Sequence, residues 1–355
     1  MAEVHNMTDS NPLTYRDAGV DIAAQDEALG RARDSIRSTF TDGVLGDVGS
    51  FGGLFDMDKA GAGGEILVAS ADGVGTKLEV AKRASTYDTV GRDLVQHCIN
   101  DILVQGARPL FFMDYVGMGR LEPLVASGLI AGCADACRDH GVALLGGETA
   151  EMPGLYADGD FDLAGFIVGS VKRDQILDGS KVEPGQVLLG LESSGLHTNG
   201  YSLARMVMFD RLGLNVDDRP EELGGVSVKD ALLAPHRCYL KPLWALIEAQ
   251  QVTALGHITG GGLVDNLPRV LGGHDAVIDK SSWEVPALFR MLCEAGSVPP
   301  EDSYQAFNMG IGIVLAVAAH DVGAVTEHLR SQGEAVFELG QVVPAAGDSG
   351  EVRWA

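Results

Sequence analysis

The sequence predicts an α+β chain of two domains. Three observations carry that expectation. At 355 residues the chain is about twice the usual length of a single domain. Helix-period segments and strand-like segments are mixed without strict alternation, which favours two α+β domains over one doubly wound sheet. A polar stretch around Asp174–Gly185 breaks the pattern at mid-chain, with Asp178-Gly179-Ser180 and Pro184-Gly185 as turn signals. The expected division is 1–13 as a flexible tail, 14–178 as the first domain, 179–345 as the second and 346–355 as a closing tail.

In chain order, an amphipathic stretch runs from about Gln25 to Phe40. Thr41 to Gly64 then holds eight glycines, the composition of a mobile loop or a phosphate cradle. Ile66–Ser70 is a short apolar run and reads as a strand. Thr89–Gln105 places Val90, Leu94, Val95, Cys98, Ile99 and Ile102 at helical spacing. Leu110–Val116 reads as a strand, Glu122–His140 as a helix, and Val142–Leu145 and Asp162–Val171 as strands. Beyond the polar break, strands are expected at Val187–Leu191, Ala254–Ile258, Ala276–Ile278, Gly312–Ala318 and Glu334–Val343. Helices are expected from Tyr201 onward and at Lys229–Leu233, Tyr239–Ala249, Leu263–Leu271 and Pro286–Glu294.

Composition narrows the function. Lys plus Arg is 26 against 50 for Asp plus Glu, a net charge of −24. Nonspecific duplex binding rests on cationic neutralisation of phosphates, so no nucleic-acid partner is expected. An apolar content of 46% suits a globular chain with a full core. Met1 to Thr14 carries no apolar h-region, and the longest apolar stretch, Ile311 to Ala319, is short for a membrane span. Cys98, Cys133, Cys137, Cys238 and Cys293 form no C-x-x-C pair and read as buried thiols of a reducing compartment. The expectation is a cytoplasmic protein with no membrane partner.

Five segments can carry chemistry. Asp72-Gly73-Val74-Gly75-Thr76-Lys77 follows a strand, with glycines for close backbone approach, an Asp for Mg²⁺ and a Lys for phosphate. Its spacing is not that of a P-loop, and a plain turn is the alternative. Asn100-Asp101 sits in an apolar helical run with Arg92, Asp93 and His97 nearby. A carboxylate there is expensive unless paired or metal-bound. Gly146-Gly147-Glu148-Thr149-Ala150-Glu151 sets carboxylates among glycines after a strand, as a binding loop or an acidic turn. Ser193 to Ser202 joins a strand to a helix and offers an anion site or a simple cap. His257-Ile258-Thr259-Gly260-Gly261-Gly262 repeats strand, glycines, helix, with His257 as a candidate acid or base. Pro235 to Lys241 adds local cations suited to a phosphorylated substrate. Together these segments point to a Mg-nucleotide enzyme.

The ordered set resembles the phosphoribosylformylglycinamidine cyclo-ligase family of the AIR synthase superfamily. Tyr15 to Ile22, Asp72 to Lys77, Gly106 to Tyr115, Gly146 to Gly154, Gly195 to Leu203, His257 to Leu263 and Phe307 to Gly312 carry the likeness. It implies an N-terminal mixed sheet that pairs across a homodimer and a C-terminal α/β sandwich-like domain. It also implies ATP-dependent closure of formylglycinamidine ribonucleotide to aminoimidazole ribonucleotide in purine biosynthesis, with ATP and Mg²⁺ as cofactors. The alternatives are another ATP-using member of the superfamily and a non-catalytic nucleotide-binding dimer.

By the same resemblance ATP meets Gly52, Gly53, Asp72, Gly73, Gly75, Thr76, Lys77, Asn100 and Asp101. Asp72, Asp101 and Glu148 would hold metal. Gly147, Glu148, Thr149, His197, Asn199, Lys241, Gly260, Gly261 and Gly262 would meet substrate. His257, Asp101 and Lys77 would serve catalysis. One departure stands out: the family continues after Ile22 with Asp-Ala-Gly-Asn and soon a lysine, whereas here Ala23-Ala24-Gln25-Asp26 follows and the nearest cations are Arg31 and Arg33.

Overall fold

The structure, a computed structural model, describes residues 13–14, 37–38, 41–47, 53–59, 63–347 and 350–355. Tyr15 to Ile22, Arg31, Arg33, Gly52 and nearly all of the stretch from Gln25 to Phe40 lie outside the described residues.

The first half builds a five-stranded sheet in the order β1-β2-β5-β3-β4. Its strands are β1 (Gly53–Asp56), β2 (Ile66–Gly73), β3 (Arg108–Met118), β4 (Ala143–Glu151) and β5 (Phe161–Val171). β3 and β4 are parallel, joined by a helical crossover, and the other pairs are antiparallel. Helices α1 (Lys77–Ala84), α2 (Asp88–Leu103) and α3 (Pro123–His140) complete this half.

The periodic apolar residues of α2, Val90 to Ile102, are all fully buried. The helix is buried nearly all round, its apolar residues in the core and its polar residues Asp93, His97, Asn100 and Asp101 buried as well. It meets α3 at very close range. A Cβ on Gly91 would stand 2.2 Å from the Leu129 carbonyl oxygen, and one on Gly132 would stand 2.0 Å from that of Asp88. Only glycine permits that approach.

The second half builds a six-stranded sheet in the order β11-β8-β10-β6-β9-β7. The strands are β6 (Val187–Glu192), β7 (Ala254–His257), β8 (Asp275–Ile278), β9 (Ile311–Val317), β10 (Val336–Val343) and β11 (Val352–Trp354). The helices are α4 (Tyr201–Arg205), α5 (Val228–Leu232), α6 (Leu240–Glu248), α7 (Gly262–Asn266), α8 (Ala287–Gly296), α9 (Pro300–Ala306) and α10 (Val322–Ser331). β9 is buried along its whole length and reads as a continuous apolar run, as a central strand covered on both faces should. Buried apolar residues of both halves form one contiguous cluster.

Three expectations need correction. The expected tail at 346–355 ends in β11, which pairs in parallel with β8. Trp354 packs 4.7 Å from the Tyr304 ring, and the Lys280 ammonium lies over both rings, so burial and cation–π contact hold this segment. The expected loop from Gly146 to Glu151 is the second half of β4, an exposed edge strand. An edge strand has a partner on one side only and tolerates residues with little to pack. The expected helix at Leu263–Leu271 is the five-residue α7, which stops before Pro268.

Candidate active site

The site is organised by a polar stripe on α2. Asp93, His97, Asn100 and Asp101 stand at positions i, i+4, i+7 and i+8, so they share one helix face, and all four are buried. That face meets the second half of the chain. Asp93 accepts the backbone N–H of His236 at 2.6 Å. Asn100 accepts the N–H of Tyr239 at 3.0 Å and donates to the Arg237 carbonyl at 2.8 Å. The polar stripe thus uses its hydrogen bonds to join the two halves.

Asp72, near the end of β2, points toward the same face. Its Oδ1 accepts the Gly73 N–H, and its Oδ2 lies 2.7 Å from His97 Nε2. The Asp72 side chain is 41% exposed, whereas that of Asp101 is 6% exposed. Asp101 Oδ1 accepts from His257 Nδ1 at 2.8 Å, and its Oδ2 accepts from Ser70 at 3.3 Å and lies 3.5 Å from His97 Nε2. His257 Nε2 stands 3.0 Å from His236 Nε2, and Thr198 Oγ1 lies 2.6 Å from His97 Nδ1 and 3.4 Å from His236 Nδ1. Three buried histidines and two carboxylates, with Thr198, therefore form one connected network.

The electrostatics divide the histidines. Burial works against a charged His97, yet Asp72 and then Asp101 outweigh it and carry the ring up to about 9, so His97 is an imidazolium at neutral pH. Burial pushes His236 and His197 well below the ordinary imidazole value and also lowers His257, against the pull of Asp101. Burial tends to raise Asp72, but the charge and hydrogen bond of His97 bring it below the usual carboxylate value.

The glycine turn after β7 is built tightly. Asn266 Nδ2 donates to the carbonyls of Thr259, Gly260 and Gly262. Gly262 has φ +59, and a Cβ there would stand 1.9 Å from the Tyr304 carbonyl oxygen. Asn199 flanks this turn: a Cβ on Gly260 would lie 3.3 Å from its Oδ1, while its Nδ2 donates to Thr198 at 3.4 Å. Thr76 and Ser202 hydroxyls meet at 3.1 Å and bring the Asp72 to Lys77 turn against the Ser193 to Ser202 loop. Gly75 and Thr76 are exposed beside this contact. Asp72, Gly73, Gly75, Thr76, Asn100, Asp101, His197, Asn199, His257 and Gly260–Gly262 thus fall along one seam between the halves.

Other expected residues fall elsewhere. Lys77 is fully buried: its Nζ lies 2.6 Å from Asp93 Oδ2 and donates to the carbonyls of His197 and Ala234, leaving no donor to offer a phosphate. Glu148 does not join Asp72 and Asp101. The row Gly147–Asp114–Gly165–Asp72 runs across the sheet, which puts Gly147 three strand spacings, about 14 Å, from Asp72. Glu148 belongs to the next row and points to the opposite face, away from α2. Gly147, Glu148 and Thr149 are exposed there. Lys241 is exposed on α6, where its charge acts on His140 and Asp139 at the end of α3. Arg237, from the same cationic segment, pairs with Glu334 at 2.9 Å. Gly53 opens β1 at the sheet edge. His257 is fully buried with both ring nitrogens engaged, so its ring presents no edge to solvent.

Two triads bring ligand atoms close enough to suggest a metal: His197, His236 and His257, and His97, Asp101 and His257. The first is geometrically poor, because the His197 and His236 rings stack at 4.0 Å and 22°, so their lone pairs run parallel and do not converge on one ion. The second is already closed by hydrogen bonds. Mg²⁺ takes few protein carboxylates and keeps phosphates and water as its other ligands. The exposed carboxylate of Asp72 fits that use; Asp101, with both oxygens engaged, fits an indirect role.

Comparisons with known proteins show the family. The AIR synthase related protein N-terminal domain matches residues 54–171, and the corresponding C-terminal domain matches residues 183–353. The phosphoribosylformylglycinamidine cyclo-ligase of Trichlorobacter lovleyi is 48% identical over 330 residues, covering 93% of this chain and 94% of that protein. Among solved structures, thiamine-monophosphate kinase from Stenotrophomonas maltophilia shares the fold, with a TM-score of 0.62 at 20% identity over 92% of this chain and 95% of that one. T. maritima PurL complexed with AMPPCP shares it with a TM-score of 0.57 at 15% identity, over 91% of this chain and 45% of that one. The chain belongs to the phosphoribosylformylglycinamidine cyclo-ligase family, within the AIR synthase related proteins.

Proposed function

We propose that the seam from Asp72 through Thr76 and Asn199 to Gly260–Gly262 is where ATP and formylglycinamidine ribonucleotide meet. As a cyclo-ligase family member the chain is an ATP-dependent, C–N bond-forming ligase of purine biosynthesis. It closes formylglycinamidine ribonucleotide to aminoimidazole ribonucleotide, with release of ADP and phosphate. The formyl oxygen is a poor leaving group. Transfer of the γ-phosphoryl to it gives an imidate phosphate. The amidine nitrogen then attacks the same carbon, the carbon–oxygen bond breaks to release phosphate, and the nitrogen's proton passes to a base. Such chemistry needs mainly positioning and charge neutralisation.

The single observation that carries this assignment is the His97 bridge. It links the Asp72 turn, the Asn100-Asp101 helix and, through Thr198, the loop of the second half. Asp72 would receive Mg²⁺, which neutralises phosphate charge when bound. Gly73, Gly75 and Thr76 offer backbone approach to phosphates. Asn199 and Gly260–Gly262 would take the ribonucleotide. Asp101 and His257, both buried, would act by holding the Asp72–His97 pair in place. Asp101→Asn with full turnover and unchanged Mg²⁺ dependence would remove Asp101 from this reading.

The reading is a homodimer. Leu110, Met113, Leu145 and Phe166 leave apolar side chains exposed on the first sheet, 40–65% by relative area, which supports a partner sheet there. Glu148 and Thr149 lie on the strand that borders this face, which favours a role near the subunit contact over a place in the Asp72 cluster. The domain division at residues 178 and 179 and a cytoplasmic location are part of the same reading. Among the described residues no helix is long and apolar enough to cross a membrane.

A further inference from the structure

We propose that His236 is a positioning residue of this enzyme: with Thr198 it locks the His257 ring in one tautomer and so fixes the Asp101 carboxylate beside Asp72 and His97. The inference rests on the reading of Asp101 and His257 as site groups.

The argument is a count of protons along one chain of contacts. Asp101, as a carboxylate, accepts only, so the 2.8 Å contact puts the proton on His257 Nδ1. A neutral His257 then has a lone pair at Nε2. The 3.0 Å contact there requires His236 Nε2 to donate. A neutral His236 in turn has its lone pair at Nδ1, where the Thr198 hydroxyl at 3.4 Å donates. Having given its one proton to His236, Thr198 can only accept from His97 Nδ1 at 2.6 Å. His97 Nε2 meanwhile donates to Asp72 at 2.7 Å. The sequence His97, Thr198, His236, His257, Asp101 therefore has one direction, and each group along it is buried. His236 is held from its backbone too, its N–H donating to Asp93 Oδ1 at 2.6 Å. The ring stacks on His197 at 4.0 Å, so its plane is set. Without the His236 proton, His257 Nε2 loses the donor that holds the proton on Nδ1, and the tautomer that fixes Asp101 is no longer favoured from that side.

A merely structural role makes a different prediction, because packing asks for volume and this role asks for a donor. His236→Gln keeps an N–H near the Nε2 position; His236→Met keeps bulk without it. The expected result is His236→Gln within a few-fold of the parent kcat. His236→Met should lose about tenfold to a hundredfold in kcat, with KM for ATP little changed. Thr198→Val, nearly the same shape without the hydroxyl, is the second variant should His236→Met fail to fold, and it should lower kcat in the same way. Nitrogen-15 spectra of histidine-labelled protein read the tautomer directly. His257 should be protonated at Nδ1 alone in the parent and in His236→Gln, and mixed in His236→Met or Thr198→Val. Equal kcat for the Gln and Met variants, or a His257 signal unchanged by loss of the His236 and Thr198 donors, overturns the proposal. If the parent protein makes no aminoimidazole product, the reading of the reaction fails, while the nitrogen-15 signal still decides the tautomer lock.

Discussion

Lys77 Nζ and Asp93 Oδ2 stand 2.6 Å apart with neither side chain exposed. The pair belongs to α1 and α2, and Lys77 adds hydrogen bonds to two carbonyls of the second half. Breaking a buried pair leaves an uncompensated charge, at a cost of about 3–5 kcal/mol. Lys77→Met should therefore lower the unfolding free energy read from chemical denaturation by that amount, with KM for ATP in the folded fraction unchanged. A raised KM for ATP at unaltered stability would return Lys77 to the phosphates.

Asp72 is the exposed carboxylate of the network, and the role proposed for it is electrostatic. Asp72→Asn keeps the shape and removes the charge. Its kcat/KM for Mg-ATP should fall by about two orders of magnitude, roughly 2.7 kcal/mol of transition-state stabilisation. Initial rates across a Mg²⁺ titration should also show a higher requirement for the ion.

The raised value of His97 makes stability depend on pH. A group whose value rises on folding stabilises the fold fully below its unfolded value, here about 6.5, and the stabilisation is lost as pH climbs through about 9. Thermal melts should show a falling midpoint across that alkaline window, and His97→Gln should flatten the slope. The lowered value of Asp72 works in the opposite direction and only in acid, below about 3.8, so the two do not overlap.

The apolar sheet face gives an oligomer prediction. Phe166→Glu with Leu145→Asp places like charges where a second sheet would pack. Light scattering should report a dimer for the parent chain and a monomer for the double variant. An unchanged dimer would move the subunit contact elsewhere.

Much of this arrangement was legible in the sequence. The apolar period of Val90 to Ile102 marks α2, and the same helical geometry puts Asp93, His97, Asn100 and Asp101 on one face, so the polar stripe was open to view as well. Asp72 and Asp101 converge as their motifs suggest. His236 was not legible, because its ring partners Thr198 and His257 come from other segments of the chain and no local pattern marks it. Glu148 was misplaced because adjacency in the sheet does not follow chain order: β5 inserts between β2 and β3, and β4 lies at the far edge. Lys77 misled because a lysine after glycines suggests a phosphate, whereas α1 turns it inward onto Asp93. β11 was missed because a three-residue strand at a chain end carries too few residues for a period.

The most direct test of the central claim follows ADP and aminoimidazole ribonucleotide together, from purified protein, Mg-ATP and formylglycinamidine ribonucleotide. The account predicts the two products in a ratio of one to one, both slowed in step by Asp72→Asn. ADP formed without the imidazole, or neither product from folded protein, would contradict it.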